Sequence, residues 1–445
     1  MGAQVTQPFK VGMVSLGCAK NRIDSEVMLG ILRQQGFDLT ADPLEADVII
    51  VNSCTFIESA TSESIDAVLE MAQYKERGRC KALILAGCMG SRYKEQLLAE
   101  LPEVDAIIGT GDVGNVAAIA QRVLSGERFA TTAEPLFLYD EQMPRLLTTS
   151  PHSAYVKIAE GCNHRCAFCV IPSIRGSYRS RPLNSIVAET RRLVRNGAKE
   201  IILIAQDTTW YGRDIYGESR LADLLRRVAA VEGLHWLRLL YAYPTHLSDD
   251  VLQVVAEQPN ICKYVELPLQ HVSDTVLRAM YRQGDGAYIN RLIDRIRQII
   301  PDVTLRTSFI VGYPGETEAD FAALCDFVTE KRFDHVGVFT YSAEEGTPAA
   351  QMPHQIPQAV KEERRQRLLA IQQRISRAKN EGCVGQVTDV LVDRVTDSVC
   401  IGRTRRQAPE IDGITYVKGR RLQVGDMVRA RILSASDYDL TAVVE

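Results

Sequence analysis

No stretch of this 445-residue chain approaches the roughly 18 consecutive apolar residues of a membrane span, which excludes an integral helical membrane protein. Net charge is also scarce. With 52 basic and 56 acidic residues the balance is −4, which neither demands nor excludes a nucleic-acid or ribosomal partner. The amino-terminal residues lack a secretory pattern, because the apolar run after Lys10 is broken at Ser15 to Cys18 and no small-residue cleavage site follows. A cytoplasmic location is therefore expected. Met1-Gly2 with Thr6 fits the loose N-myristoylation pattern, but a strand pattern begins almost at once, so that reading is set aside. A disulfide framework is missing too: the 11 cysteines are odd in number and scattered, which favours reduced thiols that serve as metal ligands.

An apolar fraction of 46% beside 24% charged residues is globular, and the length exceeds what one core usually serves, so several domains are expected. Over residues 8–125 short apolar runs at Val11 to Leu16, Val48 to Val51, Ala82 to Ala86 and Ala106 to Ile108 alternate with helical patterns such as Asp24 to Gln35 and Glu58 to Tyr74. This is the signature of a doubly wound parallel α/β sheet. Residues 126–152, with Pro135, Pro144 and Pro151, read as a linker. Over 153–375, strands are expected at Tyr155 to Ala159, Glu200 to Ala205, Trp236 to Tyr241, Tyr264 to Leu267, Thr304 to Val311 and His335 to Tyr341, with helices between. Six β-then-α units imply a partial (β/α)6 barrel, since a complete one has eight. A charged helix follows at Val360 to Asn380, and residues 379–445, rich in valine, glycine and turn residues, read as a small all-β domain.

Two cysteine sets carry the chemistry. Cys162, Cys166 and Cys169 share one short loop directly after the first barrel strand, and three thiolates so spaced can cap three corners of a four-iron cube while one iron stays open. A zinc knuckle completed by His164 is the competing structural reading, weakened because closed zinc sites pair two ligand arms. Cys18, Cys54 and Cys88 are far apart in sequence, yet each falls just after a predicted strand. In a parallel sheet all three emerge at the carboxyl edge and can meet on one cluster, whereas Cys80 precedes its strand and is not expected to be a ligand. Cys262, Cys325, Cys383 and Cys400 have no cluster-like spacing and read as packing residues. Gly109-Thr110-Gly111-Asp112-Val113-Gly114 matches a dinucleotide fingerprint, but it follows the fourth strand and is expected to be a turn.

Cys162-x-x-x-Cys166-x-x-Cys169, with Phe168 before the last cysteine, resembles the radical S-adenosylmethionine superfamily. That resemblance implies that the cofactor chelates the open iron, yields a 5′-deoxyadenosyl radical on reductive cleavage, and packs its adenine near Phe168. Both cysteine sets in this order, with a terminal domain similar to TRAM (OB-like) domains, resemble the methylthiotransferase family over nearly the whole chain. The motifs are Ser15-Leu16-Gly17-Cys18 with Lys20-Asn21 and Asp24-Ser25-Glu26, Gln206-Asp207-Thr208, Leu267-Pro268-Leu269-Gln270-His271, and Ile310-Val311-Gly312-Tyr313-Pro314-Gly315-Glu316-Thr317.

Membership would imply two 4Fe-4S clusters, with S-adenosylmethionine as methyl donor and radical source, and would require an electron donor and a sulfur source as partners. One cofactor molecule would methylate sulfide at the cluster of Cys18, Cys54 and Cys88, and a second would be cleaved at the barrel cluster. Ala408-Pro409-Glu410-Ile411-Asp412-Gly413 resembles the branch that modifies the β-carbon of an aspartate in a small-subunit ribosomal protein near the decoding centre. The other branch modifies adenosine in transfer RNA and is the alternative; a non-enzymatic iron-sulfur sensor is a third reading. Ala19, Ser53 and Thr55 depart from the branch pattern beside two ligands without removing one. Gln206, Asp207, Gln270, Arg306 and Thr307 are candidate contacts to cofactor or substrate, with structural hydrogen bonding as the alternative for each. The tail balances its charges, leaving local clusters at Arg403, Arg405 and Arg406 and at Lys418, Arg420 and Arg421 that suit either a solvated surface or contact with a protein loop or ribosomal RNA.

Overall fold

The computed structural model describes residues 8–131, 133–397, 399–419 and 421–445, so the Met1-Gly2 pattern and Arg420 lie outside the described residues. The chain forms two compact units. The first runs to Thr148 and takes in Ala159–Arg165 and Cys169–Arg181; the second holds Thr149–Ile158, Cys166–Phe168 and Pro182–Glu445.

In the first unit the four expected strands pair in parallel and gain a short strand at each edge. Across the sheet the order is Asp38–Leu39, Lys10–Ser15, Val48–Ser53, Ala82–Gly87, Ala106–Ile108 and Phe129–Thr131. The two central strands are buried along their whole length, as a sheet covered on both faces requires. The helix expected from Asp24 begins at Ala19, directly after Cys18, which places Lys20, Asn21 and Asp24 in its first two turns. The expected linker is not slack. Phe129–Thr131 joins the sheet, Arg145 Nη2 donates to the buried Glu26 Oε2 at 2.7 Å, and the Thr148 amide donates to Glu26 Oε1 at 2.9 Å. Proline-rich composition concealed the two bonds to Glu26 because their partner is more than a hundred residues away.

The second unit contains the six barrel strands in chain order, as two parallel three-stranded sheets: Ser153–Lys157, Glu200–Ile204 and Trp236–Leu239, then Tyr264–Gln270, Thr304–Val311 and His335–Thr340. A single parallel bridge, Leu237 to Ile261, lies just before the fourth strand. Helix Gln358–Glu381 buries Leu368 and Ile375, and its polar inner face is satisfied by backbone oxygens: Lys361 Nζ donates to Tyr341 at 2.8 Å and Gln372 Nε2 to Phe333 at 2.9 Å. Val387–Val395, Cys400–Thr404, Thr415–Lys418, Leu440–Val444 and Met427–Ala435 then close a five-stranded barrel.

The stretch 403–412 of the tail is fastened across the amino ends of the barrel strands. Arg403 is 3% exposed and pairs with Glu200 at 2.8 Å and Asp393 at 2.8 Å. Glu200, wholly buried, also accepts from Arg238 Nε at 3.0 Å. Burial would raise its carboxyl, but Arg403 and Arg238 outweigh that and hold it below the usual range. Arg406 reaches Asp334 at 2.7 Å, and Arg405 donates to the Pro259 carbonyl. Asp412 accepts from Tyr264 Oη at 2.7 Å, from Arg306 Nη1 at 2.8 Å and from the Ala408 amide at 2.8 Å. Of the local cluster at Arg403, Arg405 and Arg406, Arg403 is buried on Glu200 and Asp393, whereas Arg405 and Arg406 bond Pro259 and Asp334 while keeping over a third of their side chains exposed. Charge alone could not foretell the bonds to Glu200, Pro259 and Asp334, because those partners are distant in sequence.

Removing a partner from so buried an ion pair costs about 3 kcal/mol. Asp412→Ala should therefore lower the unfolding free energy by about that amount, read from the shift of the denaturant midpoint at unchanged slope, and a loss below about 1 kcal/mol would refute the lock.

Candidate metal centres

Cys18 follows the strand Lys10–Ser15 and caps helix Ala19–Gln34; Cys54 follows Val48–Ser53; Cys88 opens the short helix Cys88–Tyr93 directly after Ala82–Gly87. All three leave the sheet at its carboxyl edge. Cys80 lies at the other end of its strand, with its thiol donating to the Ala82 carbonyl at 3.4 Å. The approach of the ligand loops is close. Gly17 has φ +81°, and a Cβ there would lie 2.7 Å from Cys54 Cβ and 2.9 Å from its sulfur. Beneath them Asn21 donates to the carbonyls of Leu16 at 2.7 Å and of Asn52 and Ser53 at 3.2 Å, and Asn52 returns a bond to Asn21 O at 2.9 Å. The loops are thus pinned by amides, not by packing alone.

A guanidinium enters the same place. Arg175 ends the short helix Ile171–Arg175, and its side chain is 2% exposed. Nη1 donates to Asp24 Oδ2 at 2.7 Å and Glu160 Oε2 at 3.2 Å; Nη2 donates to Asn21 Oδ1 at 3.2 Å and to Cys88 Sγ at 3.4 Å. Val170 and Ile174 pack on Cys88, and Thr110 Oγ1 donates to the Ile174 carbonyl at 3.1 Å.

The electrostatics follow from this crowding. Burial pushes the Cys54 thiol up to about 11, with Cys88 and Cys18 adding to the rise. Cys88 is raised by burial and by Cys18, against Arg175. At Cys18 the surrounding protein also favours the neutral thiol, but Lys20 and Arg175 outweigh it and hold the group below the usual thiol range. Burial opposes the charge of Arg175, which Cys88, Glu160 and Asp24 nonetheless keep fully protonated. Three free thiols that resist joint ionisation are a poor arrangement by themselves and a good one around a cationic iron-sulfur core. The donor set fits the group.

On the second set, Cys162, Cys166 and Cys169 are partly exposed thiols outside any disulfide. The loop's ends are held separately: the Cys162 amide donates to Gly176 O at 3.0 Å, and the Tyr178 amide to Asn163 Oδ1 at 3.0 Å. In the middle of the loop, the Ala167 amide donates to Met280 O at 3.0 Å, and Phe168 packs edge-on against Tyr313 at 6.5 Å between ring centroids. Arg282 Nη1 lies 3.7 Å from Cys166 Sγ, while Nη2 donates to Pro268 O at 2.6 Å and the guanidinium covers the Tyr243 ring at 4.2 Å. Soft, accessible thiols with a cation beside one of them also suit an iron-sulfur cluster.

The candidate polar contacts divide. Gln206, half-buried, and Gln270, with φ +71°, stand at the carboxyl ends of their strands. Asp207 is buried and braces its turn, accepting from the Thr209 amide at 2.8 Å and facing His246 Nδ1 at 3.1 Å. Thr307 is buried and donates to the Leu267 carbonyl at 2.7 Å. Arg306 sits near the amino end of its strand on Asp412, where the tail docks. For these last two the structural alternative describes what the side chains do. Gly109 to Gly114 form a turn, with Asp112 accepting from the Gly109 amide at 2.9 Å and the Ala133 amide at 3.2 Å.

Sequence reasoning missed Arg175, Glu160 and Arg282. Asp24 and Asn21 offered a signal, since two polar residues on the sheet-facing side of a helix demand partners, but nothing local named the cation.

Gly17→Ala should lower the iron bound per chain after anaerobic reconstitution, because a Cβ has no room beside Cys54. Gly126→Ala, strained in φ but with nothing near its Cβ, should bind iron as the parent does; equal iron in both variants would show that the approach at Gly17 is irrelevant.

Comparison with known proteins agrees with this arrangement. Residues 10–109 match the model of the uncharacterized protein family UPF0004, residues 156–328 the radical SAM superfamily, and residues 384–444 the TRAM domain. A ribosomal protein uS12 methylthiotransferase RimO of Desulforamulus reducens is 52% identical over 97% of this chain and 98% of its own length. The protein of the same name from Geobacter sulfurreducens is 50% identical over 97% of each. Among solved structures, the radical S-adenosylmethionine methyltransferase TsrM of Kitasatospora setae, with tryptophan substrate and a cofactor analogue bound, aligns with a TM-score of 0.58 at 14% identity over 84% of this chain and 90% of that one. At that identity the likeness speaks for the fold alone.

Proposed function

This chain belongs to the family of ribosomal protein uS12 methylthiotransferases RimO, and from that premise we propose that it attaches a methylthio group to the β-carbon of an aspartate in that ribosomal protein. It is a radical S-adenosylmethionine enzyme with 4Fe-4S clusters as cofactors. The observation that carries the reading is the convergence of Cys18, Cys54 and Cys88 at one sheet edge in a chain that also bears the Cys162, Cys166 and Cys169 loop. The first set would hold one cluster and the second set the other.

When bound, these groups and S-adenosylmethionine supply the electron, the hydrogen-abstracting radical, the methyl group and a sulfur relay. Such chemistry is needed because the target carbon carries a hydrogen that no side-chain base removes at a useful rate. The protein's part is to hold and orient. Phe168 would face the adenine, kept edge-on by Tyr313, and Gln206 and Gln270 would offer amide contacts from strand ends, where barrels present their polar groups. Asp207 would fix the turn behind Gln206, and Arg282 would place its charge beside Cys166. Arg306 and Thr307 act in the sheet and in the docking of the tail, not on the cofactor. Beyond the ribosomal protein, the reaction calls for an electron donor and a sulfur source as partners. No helix among the described residues is long and apolar enough to cross a membrane.

The transfer-RNA reading is not favoured, and it is open to direct test. Reduced, iron-loaded protein incubated with S-adenosylmethionine should add a methylthio mass to the ribosomal protein and none to transfer RNA; the mass on RNA alone would overturn the assignment. Replacing Cys18, Cys54 or Cys88 by Ala should leave 5′-deoxyadenosine formation measurable while abolishing methylthio transfer, whereas replacing Cys162, Cys166 or Cys169 should abolish both.

A further inference from the structure

Arg175 has more partners than a simple salt bridge needs. Asp24 and Glu160 both lie on Nη1, at 2.7 and 3.2 Å, so the carboxylates are served from one end of the fork. The other nitrogen, Nη2, is steered by Asn21 Oδ1 at 3.2 Å onto Cys88 Sγ at 3.4 Å. The side chain is 2% exposed, and Ile174 of the same short helix packs on Cys88.

Resting on the reading that Cys18, Cys54 and Cys88 hold an iron-sulfur cluster, we propose that Arg175 is a positioning residue that sets the reduction potential of that cluster through its hydrogen bond to the Cys88 sulfur. Hydrogen bonds to ligand sulfurs and the charge around a cluster are principal levers on its potential. Each electron added makes the cluster more negative, and a buried guanidinium against one ligand stabilises the reduced form more than the oxidised one. Arg175 therefore raises the potential. It also ends the segment that leads out of the Cys162-to-Cys169 loop, so the chain that carries one cysteine set supplies the cation that tunes the other.

The test uses the full-length chain with Cys162, Cys166 and Cys169 replaced by Ala, so that only the first set takes up iron. Iron and sulfide are counted, and the midpoint potential is read by anaerobic redox titration with electron paramagnetic resonance. Arg175→Gln should shift the oxidised-to-reduced ratio about tenfold toward the oxidised form at a fixed potential, a fall of about 59 mV for a one-electron couple. Arg175→Lys, which keeps the charge without the fork, should fall by less. A parental midpoint in both variants, or loss of the folded chain in both, would assign Arg175 to structure alone and overturn the proposal; if only the Gln variant unfolds, the Lys variant decides by whether its midpoint falls. Failure of the parent with Arg175 intact to bind any iron would instead overturn the cluster reading itself, and the proposal with it.

Discussion

Three sulfurs that repel one another as thiolates must be held together at the edge of a sheet, and the first unit is organised around that constraint. A parallel sheet satisfies its geometric half, because every strand exits on the same side and residues as far apart as Cys18 and Cys88 become neighbours without a long excursion of the chain. The electrostatic half needs positive charge. The helix that starts at Ala19 directs the Lys20 and Asn21 amides toward Cys18, and Lys20 and Arg175 add full charges. Their price is paid by Asp24 and Glu160, which keep Arg175 ionised in a place where an isolated guanidinium would be strongly disfavoured.

The tail obeys a different rule. A partial barrel leaves the amino ends of its strands uncovered, and several of its charged residues, Glu200, Arg238 and Arg306 among them, lie there. Arg403 and Asp412 supply the opposite charges, and Ala408 to Gly413 forms the loop that delivers Asp412. This segment resembles the ribosomal-protein branch of the family, and its contacts are intramolecular.

Local patterns made the strands legible, since a buried parallel strand is a short run of Val, Ile and Leu whatever surrounds it. From strand order the cysteine convergence followed, and so did the exclusion of Cys80. Long-range electrostatics were not legible: Arg175 meets Asp24 across 151 positions, and Arg306 meets Asp412 across 106. Periodicity reports that a polar residue is buried, not what neutralises it. The same limit explains the supposed linker, where Arg145 is tied to Glu26 across 119 positions, and the burial of Arg403 on the still more distant Glu200.

Where the cation for the first cysteine set comes from has a consequence for assembly. Had it been a residue of the sheet, the site at Cys88 would be complete as soon as residues up to Ile108 were folded. Because it is Arg175, the charge arrives only when the segment after Cys169 has packed Val170 and Ile174 against Cys88. One short helix, five residues from Ile171 to Arg175, thus carries the cation of the first cysteine set on the segment that follows the second.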